Sequence, residues 1–342
     1  MYTIGLDIGG ANVKAADVDG RALTRPFAVW KSPGTLSAIL HEVLSQFAPA
    51  ELLAVTMTAE LADCFETKTD GVDSILRSVE EVAGDTPLFV WQTGAEFVQP
   101  AVAREIPLLV AAANWHALAT WAGRLVPEGA GILIDVGTTT TDIIPLFRGV
   151  AVPSGLTDRE RLTSGELVYS GVRRTPLCAL AHSVPFRGGE CPLAAEFFAT
   201  TLDIYLLLGL IPEDVDNTET ANGKPATLKH ARTRLARMLC CDASECTDGE
   251  QEEIARCLAD VQQRQIRAAL ERVLPRQEEE CRDVLLCGSG SFLAERIVID
   301  CPPLRDANRV MLEQMRDHTT SQAACAFAVA CLAAERLAGV VG

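Results

Sequence analysis

Ile4-Gly5-Leu6-Asp7-Ile8-Gly9-Gly10-Ala11-Asn12-Val13-Lys14 decides the fold. A β-prone apolar run from Tyr2 to Leu6 meets Asp7 and then a Gly-Gly pair. Val13, Ala15, Ala16, Asp17 and Val18 follow before a turn at Asp19-Gly20. The pattern predicts a β-hairpin: strand, glycine-rich turn, strand. Glycine has no Cβ, so backbone N–H groups at Gly9 and Gly10 can approach an anion closely. Asp7, at the strand end, is placed to hold a hydrated Mg²⁺, an ion bound through one or two carboxylates plus phosphate oxygens. Lys14 meets phosphate as a point charge. A plain Asp-Gly turn would use the same residues, and one copy does not separate the two readings.

The grammar returns at Gly131-Ile132-Leu133-Ile134-Asp135-Val136-Gly137-Thr138-Thr139-Thr140-Thr141-Asp142-Ile143-Ile144-Pro145. A β-branched strand again ends in Asp and Gly, a hydroxyl-rich turn follows, and a second strand runs to Arg148-Gly149. Two phosphate hairpins this far apart imply a duplicated fold facing one cleft. A third glycine turn, Gly288-Ser289-Gly290, follows the apolar run Leu285-Leu286-Cys287 and enters a helix. Together the loops resemble the actin, sugar kinase and Hsp70-like ATPase superfamily: two phosphate loops and then a nucleotide-side turn. The resemblance implies an α/β protein with a duplicated actin/Hsp70-like (RNase H-like) ATPase fold, two domains around a central cleft. The expected division is residues 1–128 and 129–319, with a closing helix at 320–342 packed back on the first domain.

Composition narrows the function classes. The formal charge is −16 over 342 residues, which argues against nucleic acid and an anionic membrane surface as partners. It also obliges a phosphorylated substrate to rely on Mg²⁺ and local Lys or Arg. The twelve cysteines lack paired CxxC spacing, and no histidine pattern accompanies Cys240, Cys241 and Cys246, so zinc is not expected. Met1 leads straight into a strand without a secretory signal, and the expected compartment is the reducing cytoplasm. The apolar run Ala323–Ala334 is too short to span a bilayer and reads as a buried Ala-rich helix that could also serve a homodimer interface.

Between the motifs, Phe27–Trp30 reads as a third antiparallel strand and Thr35–Phe47 as a helix. Leu52–Thr58 is a strand whose end, with Thr58, Glu60 and Asp63, points toward the cleft. Equally, Glu60 and Asp63 suit the first turn of a helix, where the dipole favours acids. A helical run, Val110–Ala119, embeds Asn114 and His116. Asn114 is the better cleft candidate, since a polar side chain in an apolar run needs a partner; His116 reads as a satisfied core residue. The stretch Leu162–Pro176 holds Glu166, Tyr169, Arg173 and Arg174, with arginines suited to carboxylate or phosphate. Phe197–Leu210 reads as an apolar helix, and the polar segment 212–225 as a long loop near the cleft mouth. Ile297–Ile299 reads as a late strand.

A closer resemblance follows. Met57-Thr58-Ala59-Glu60-Leu61 and Asp135-Val136-Gly137-Thr138-Thr139-Thr140-Thr141-Asp142 are similar to elements of hydantoinase/oxoprolinase-type proteins. Ala113-Asn114-Trp115-His116-Ala117, Gly165–Tyr169, Gly171–Pro176 and the Ala231–Met238 region resemble the tetrahydromethanopterin-linked C1-transfer pathway proteins within that group, whose archaeal members resemble a methanofuran-biosynthesis ether synthase. The resemblance implies a transferase that lets the phenol of γ-glutamyltyramine, or a tyrosine analogue, attack an aminomethylfuran-methyl diphosphate, with loss of pyrophosphate. Asp7 and Asp135 would then hold Mg²⁺. Gly9, Gly10, Asn12, Lys14, Gly137, Thr138, Thr139 and Thr140 would bind phosphate. Glu60 is the first candidate base and Asp142 the second, beside Asp7 and Asp135 as catalytic carboxylates. Asn114, Glu166, Arg173 and Arg174 would bind substrate, Arg173 or Arg174 taking the glutamyl carboxylate, and Gly288, Ser289 and Gly290 form the nucleotide-side turn. Mg²⁺ is the expected cofactor; ATP is compatible but not required. Ala11 stands where related sugar kinases have Thr or Ser, which weakens γ-phosphoryl transfer. The alternatives are an ATP-dependent small-molecule kinase and, for a non-enzyme, an Hsp70-type assembly protein.

Overall fold

Both hairpins close the same way. The Gly9 N–H donates to the Asn12 carbonyl at 2.9 Å, and the Gly137 N–H to the Thr140 carbonyl at 2.8 Å. The computed structural model describes residues 1–339; residues 340–342, the end of the expected closing segment, lie outside them. Strands β1 (Thr3–Ile8) and β2 (Asn12–Asp17) form the first hairpin, continued by β3 (Ala22–Pro26). Strand β4 (Leu52–Met57) lies parallel to β1, β5 (Leu88–Gln92) parallel to β4, and β6 (Glu96–Val98) antiparallel to β5. The sheet order is β3-β2-β1-β4-β5-β6.

The second sheet repeats the plan. Strands β7 (Ala130–Val136), β8 (Thr141–Phe147) and β9 (Val150–Ala151) run antiparallel in turn, and β10 (Leu167–Val168) pairs with the other end of β8. A separate hairpin, β11 (Ser183–Phe186) and β12 (Gly189–Pro192), lies off the sheets. Strand β13 (Cys281–Cys287) is parallel to β7, and β14 (Asn308–Met311) to β13. The order β9-β8-β7-β13-β14 matches β3-β2-β1-β4-β5 strand for strand. In the ladders, Asp7 faces Lys14 and Asp135 faces Asp142, the same offset in each copy. The architecture is the expected duplicated α/β fold.

Two helices fill the space between the sheets. Asn114–Ala122 and Ala324–Arg336 pack against each other. One side meets Leu52, Ala54 and Trp91 of the first sheet, the other Leu133, Ile144 and Leu285 of the second. Gly5 permits the closest approach: a Cβ there would overlap the Ala326 carbonyl and lie 2.8 Å from the Ala330 nitrogen. The Ala-rich helix is therefore buried inside the monomer, which removes the dimer face expected of it. No helix among the described residues is long and apolar enough to cross a membrane.

Several boundaries differ from the sequence reading. The third strand is Ala22–Pro26, and Val29–Lys31 is a 3₁₀ turn. Past Pro26 the chain still donates from Phe27 and Val29 to the Ala11 and Gly10 carbonyls, so it follows the hairpin without extending the ladder. Ala112, at φ +48°, breaks the expected Val110–Ala119 helix, which starts only at Asn114. The apolar helix is limited to Thr201–Leu207, entered through a Thr200/Asp203 capping box that leaves Phe197 outside. Ile297–Ile299 is the end of the helix Ser291–Ile299, whose buried positions 293, 294, 297 and 298 follow a helical period.

Because Gly5 sits against backbone, Gly5→Val is expected to cost about 1–3 kcal/mol or more through overpacking. Gly10, where an added Cβ meets nothing within 4 Å, is the control. Urea midpoints of Gly5→Val and Gly10→Ala check this; equal midpoints would contradict the packing account.

Candidate active site

The two hairpin turns open into a shared cleft of about 920 Å³. Gly9, Gly10, Asn12 and Lys14 line it from the first turn, and Gly137, Thr138, Thr139 and Thr140 from the second. Gly288 and Ser289 line it from the third glycine turn. A Cβ on Gly288 would overlap the Asp135 carboxylate, and its φ of +88° suits glycine. Gly290 lies behind, capping the helix Ser291–Ile299 and donating its N–H to the Val136 carbonyl at 2.8 Å.

Asp7 and Asp135 sit near the ends of the central strands β1 and β7. Each leaves its Oδ1 buried without a hydrogen-bond partner. Loss of hydration raises the Asp7 carboxyl, against the opposing pull of Lys14 and Asn114. Burial, and then the neighbouring Asp142, push Asp135 up to about 7. Burial alone would lower Lys14, but Asp7, the Cys325 thiol and Asp135 outweigh it and raise the ammonium. Orphaned carboxylate oxygens beside phosphate-type turns fit a cation. No cluster of three or more His, Cys, Asp or Glu able to hold a metal occurs among the described residues. The pair therefore suits an ion that takes its other ligands from phosphate and water, as Mg²⁺ does.

Glu60 lies in the 3₁₀ turn Ala59–Leu61 that follows β4. It lines the cleft with Thr58 and Asp63, is 1 % exposed, and neither carboxylate oxygen has a hydrogen-bond partner. Burial pushes it up to about 7. Gly71 packs on its backbone: a Cβ there would be 2.6 Å from the Glu60 Cα. Beside it, Lys68 and Asp158 form an ion pair at 3.6 Å between elements that follow the first and second sheets' hairpins.

Asp142, the other candidate base, is engaged. It pairs with the buried guanidinium of Arg161, which lies over the Trp115 ring at 3.9 Å. Burial raises the Asp142 carboxyl and Arg161 opposes the rise. Sequence reasoning passed over Arg161, which lies just before the Leu162–Pro176 stretch that it singled out. Only the capping box at Thr157 and Glu160, legible as S/T-x-x-E, marks the helix that carries it.

The arginine turn is built onto the Gly137–Thr140 turn. Val172 donates to the Gly137 carbonyl at 3.1 Å, and Arg173 and Arg174 donate to the Thr138 carbonyl at 3.1 and 3.0 Å. Gly171 allows this, since a Cβ would be 2.6 Å from the Gly137 carbonyl. Beneath the turn, the Gln262 amide donates to the Gly171 carbonyl and the Ser170 hydroxyl, both at 2.9 Å, while the Tyr205 hydroxyl donates to Gln262 Oε1 at 2.6 Å. Arg174 lies over the Trp30 ring at 4.5 Å. The expected loop reaches the cleft mouth through Asp214, Asn217 and Glu219. A buried Arg234–Asp203 pair at 2.7 Å anchors it, Arg234 also donating to Asn222 Oδ1 at 3.2 Å.

Two expected substrate-binding residues lie elsewhere. Glu166 is fully buried and accepts the Ser154 and Gly155 N–H groups at 2.7 and 3.3 Å, so it fixes a turn rather than facing substrate. Asn114 does not line the cleft; it acts on Asp7 from the start of its helix and accepts the Trp115 N–H at 2.8 Å. His116 is a core residue between Trp91 and Trp115, and burial lowers it to about 4.

Residues 51–335 match the family described as hydantoinase/oxoprolinase. A protein of Methanocaldococcus jannaschii named (4-{4-[2-(gamma-L-glutamylamino)ethyl]phenoxymethyl}furan-2-yl)methanamine synthase is 34% identical over 340 residues, 98% of this chain and 99% of that one. A Methanococcus vannielii protein of the same name is 32% identical over 206 residues, 59% of this chain and 89% of that one. A nucleotide-free structure of acetone carboxylase, an ATP-dependent carboxylating enzyme, aligns with a TM-score of 0.57 and 10% identity over 96% of this chain and 70% of that one, a likeness of fold.

The raised Glu60 has a stability consequence. Its folded pKa of about 7 lies above the ordinary value of 4.5. The proton-bound form therefore stabilises the fold; that contribution is whole below about pH 4.5 and lost as pH rises through about 7. Glu60→Gln is expected to exceed the parent protein in stability at pH 8 by on the order of 3 kcal/mol, with the gap closing toward pH 4.5. Urea melts at both pH values, without added metal, check this; a pH-independent gap would contradict it.

Proposed function

The chain belongs to the hydantoinase/oxoprolinase family, and from that premise we propose that it is a transferase joining an aminomethylfuran-methyl diphosphate to the phenol oxygen of γ-glutamyltyramine, or a tyrosine analogue. The observation that carries the reading is the end-to-end likeness, at 34% identity, to a synthase whose name describes a phenoxymethylfuran with a γ-glutamylaminoethyl arm. The bond that breaks joins the furylmethyl carbon to the diphosphate; the bond that forms joins it to the phenol oxygen; the phenol proton goes to a base, and pyrophosphate leaves.

The cleft supports each part. The glycine and threonine turns offer backbone N–H groups to the departing diphosphate, and Lys14 supplies a fixed positive charge. Asp7 and Asp135 would hold Mg²⁺, which when bound supplies Lewis-acid neutralisation of phosphate oxygens. Glu60 is the better base: its carboxylate is free of partners, whereas Asp142 is held by Arg161. A carboxyl titrating near 7 is matched to proton transfer at neutral pH, and the phenol ordinarily titrates near 10. A furylmethyl carbon tolerates positive charge, so positioning of carbon and phenol counts for much of the rate. The retained Gly288–Gly290 turn, with the Ser289 hydroxyl buried and unpartnered, favours a second reading as an ATP-dependent kinase.

The test is product formation with Mg²⁺, the furan diphosphate and γ-glutamyltyramine, with and without ATP. Ether and pyrophosphate without ATP are expected. ATP consumption on a furan alcohol or monophosphate, with no ether, would move the protein to the kinase reading. Asp7→Asn, Asp135→Asn and Glu60→Gln should each lower kcat/KM by about 100-fold or more. The Glu60 variant should also lose the rise of rate through pH 7, and full activity in all three would overturn the assignments.

A further inference from the structure

The cleft mouth carries charges that diphosphate binding does not use. Arg173 emerges from the turn locked to the second phosphate loop, and Asp214 faces the same cleft from the anchored loop. Asp214 is the charged group that acts on Arg173, yet no carboxylate comes within ion-pair distance of that guanidinium among the described residues. Asp214 is held ready: its Oδ1 accepts the Asp216 and Asn217 N–H groups, both at 3.1 Å. Its second oxygen takes no hydrogen bond among the described residues. Two fixed, opposite charges thus share one opening without neutralising each other. Tyr169 and Phe197, 61% and 54% exposed, give the same cleft aromatic surface.

We propose that Arg173 and Asp214 form a clasp of two signs for a free amino-acid end, the guanidinium taking its α-carboxylate and the Asp214 carboxylate its α-ammonium. The inference rests on the transferase reading and names how its acceptor is recognised. A γ-linked glutamyl group is joined through its side-chain carboxyl, so one carbon at the far end of the acceptor keeps both charges. A guanidinium alone would take any carboxylate, or pyrophosphate itself. The neighbouring Asp214 repels anions and rewards the adjacent ammonium, so the pair selects the zwitterion. The phenyl ring then lies against Tyr169 and Phe197, with its hydroxyl directed inward to Glu60.

Calorimetric titration of the full chain with Mg²⁺ and pyrophosphate tests this with three acceptors. They are γ-glutamyltyramine, N-glutaryltyramine (no ammonium) and N-(4-aminobutanoyl)tyramine (no carboxylate). Charged hydrogen bonds of this kind predict about tenfold or greater preference for the glutamyl compound over either analogue. Asp214→Asn should erase the preference over the glutaryl compound alone, and Asp214→Glu should restore it. Arg173→Gln should erase the preference over the aminobutanoyl compound alone. Equal binding of the three by the unsubstituted protein, no binding of any, or equal weakening of all three in either variant overturns the clasp. Ether formation is followed in parallel. Selective binding without ether would overturn the transferase reading and leave the clasp, whereas ether without selectivity would do the reverse.

Discussion

Four carboxyl groups are withdrawn from water around one cleft, and the rest of the molecule answers that fact. Asp7, Asp135 and Asp142 have Lys14 and Arg161 as counter-ions, and Glu60 has only Lys68, itself paired with Asp158, so the acids outnumber the free cations. Burying an unpaired carboxylate costs several kcal/mol, so such a group holds its proton or waits for a cation. Asp7 and Asp135 lie in central strands with a hydrogen-bonded neighbour on each side, and their position is fixed whether or not an ion is there. Glu60 gets its rigidity from the close pass of Gly71 instead.

The two hairpins share geometry but divide the electrostatic work. In the first, Asp7 faces its own counter-ion, Lys14, across the ladder. In the second, the same register position is another acid, Asp142, whose counter-ion arrives from the helix Asp158–Ser164. Arg161 lies over the Trp115 ring, so the middle helix layer helps carry the charge of the second hairpin. The turn after β10 is hydrogen-bonded to the Gly137–Thr140 turn, which ties the mouth of the cleft to its hairpin end. A substrate gripped at one end would thereby bear on the other through a few short backbone contacts.

The fold was legible because its deciding signals are local. Strand, acid, glycine and turn recur in order, and backbone sterics permit little else there. That the two hairpin turns and Glu60 line one cleft was legible for the same reason, since they stand at strand ends. What escaped was decided by tertiary contact. Glu166 looked like a cleft acid until Ser154 and Gly155 supplied its donors from another segment. Arg161 drew no notice, because its partners Asp142 and Trp115 come from other segments. Ile297–Ile299 carries β-branched residues yet ends a helix, because that face meets the apolar surface beneath it. Ala112 broke an apparently continuous helix through a left-handed backbone that no residue type announces.

The close approach at Gly5 couples the first strand of the chain to a helix made more than three hundred residues later. During synthesis, β1, β2 and β4 emerge early; Asn114–Ala122 covers the β4–β5 part of their sheet's inner face, but the part over Gly5 stays open until Ala324–Arg336 leaves the ribosome. Contacts of such long sequence separation form late and slowly, and an uncovered apolar sheet face is prone to wrong partners while it waits. The first half of this protein is therefore obliged to finish folding after the last, and a growing chain interrupted before residue 324 would be a client for chaperones rather than a smaller working unit.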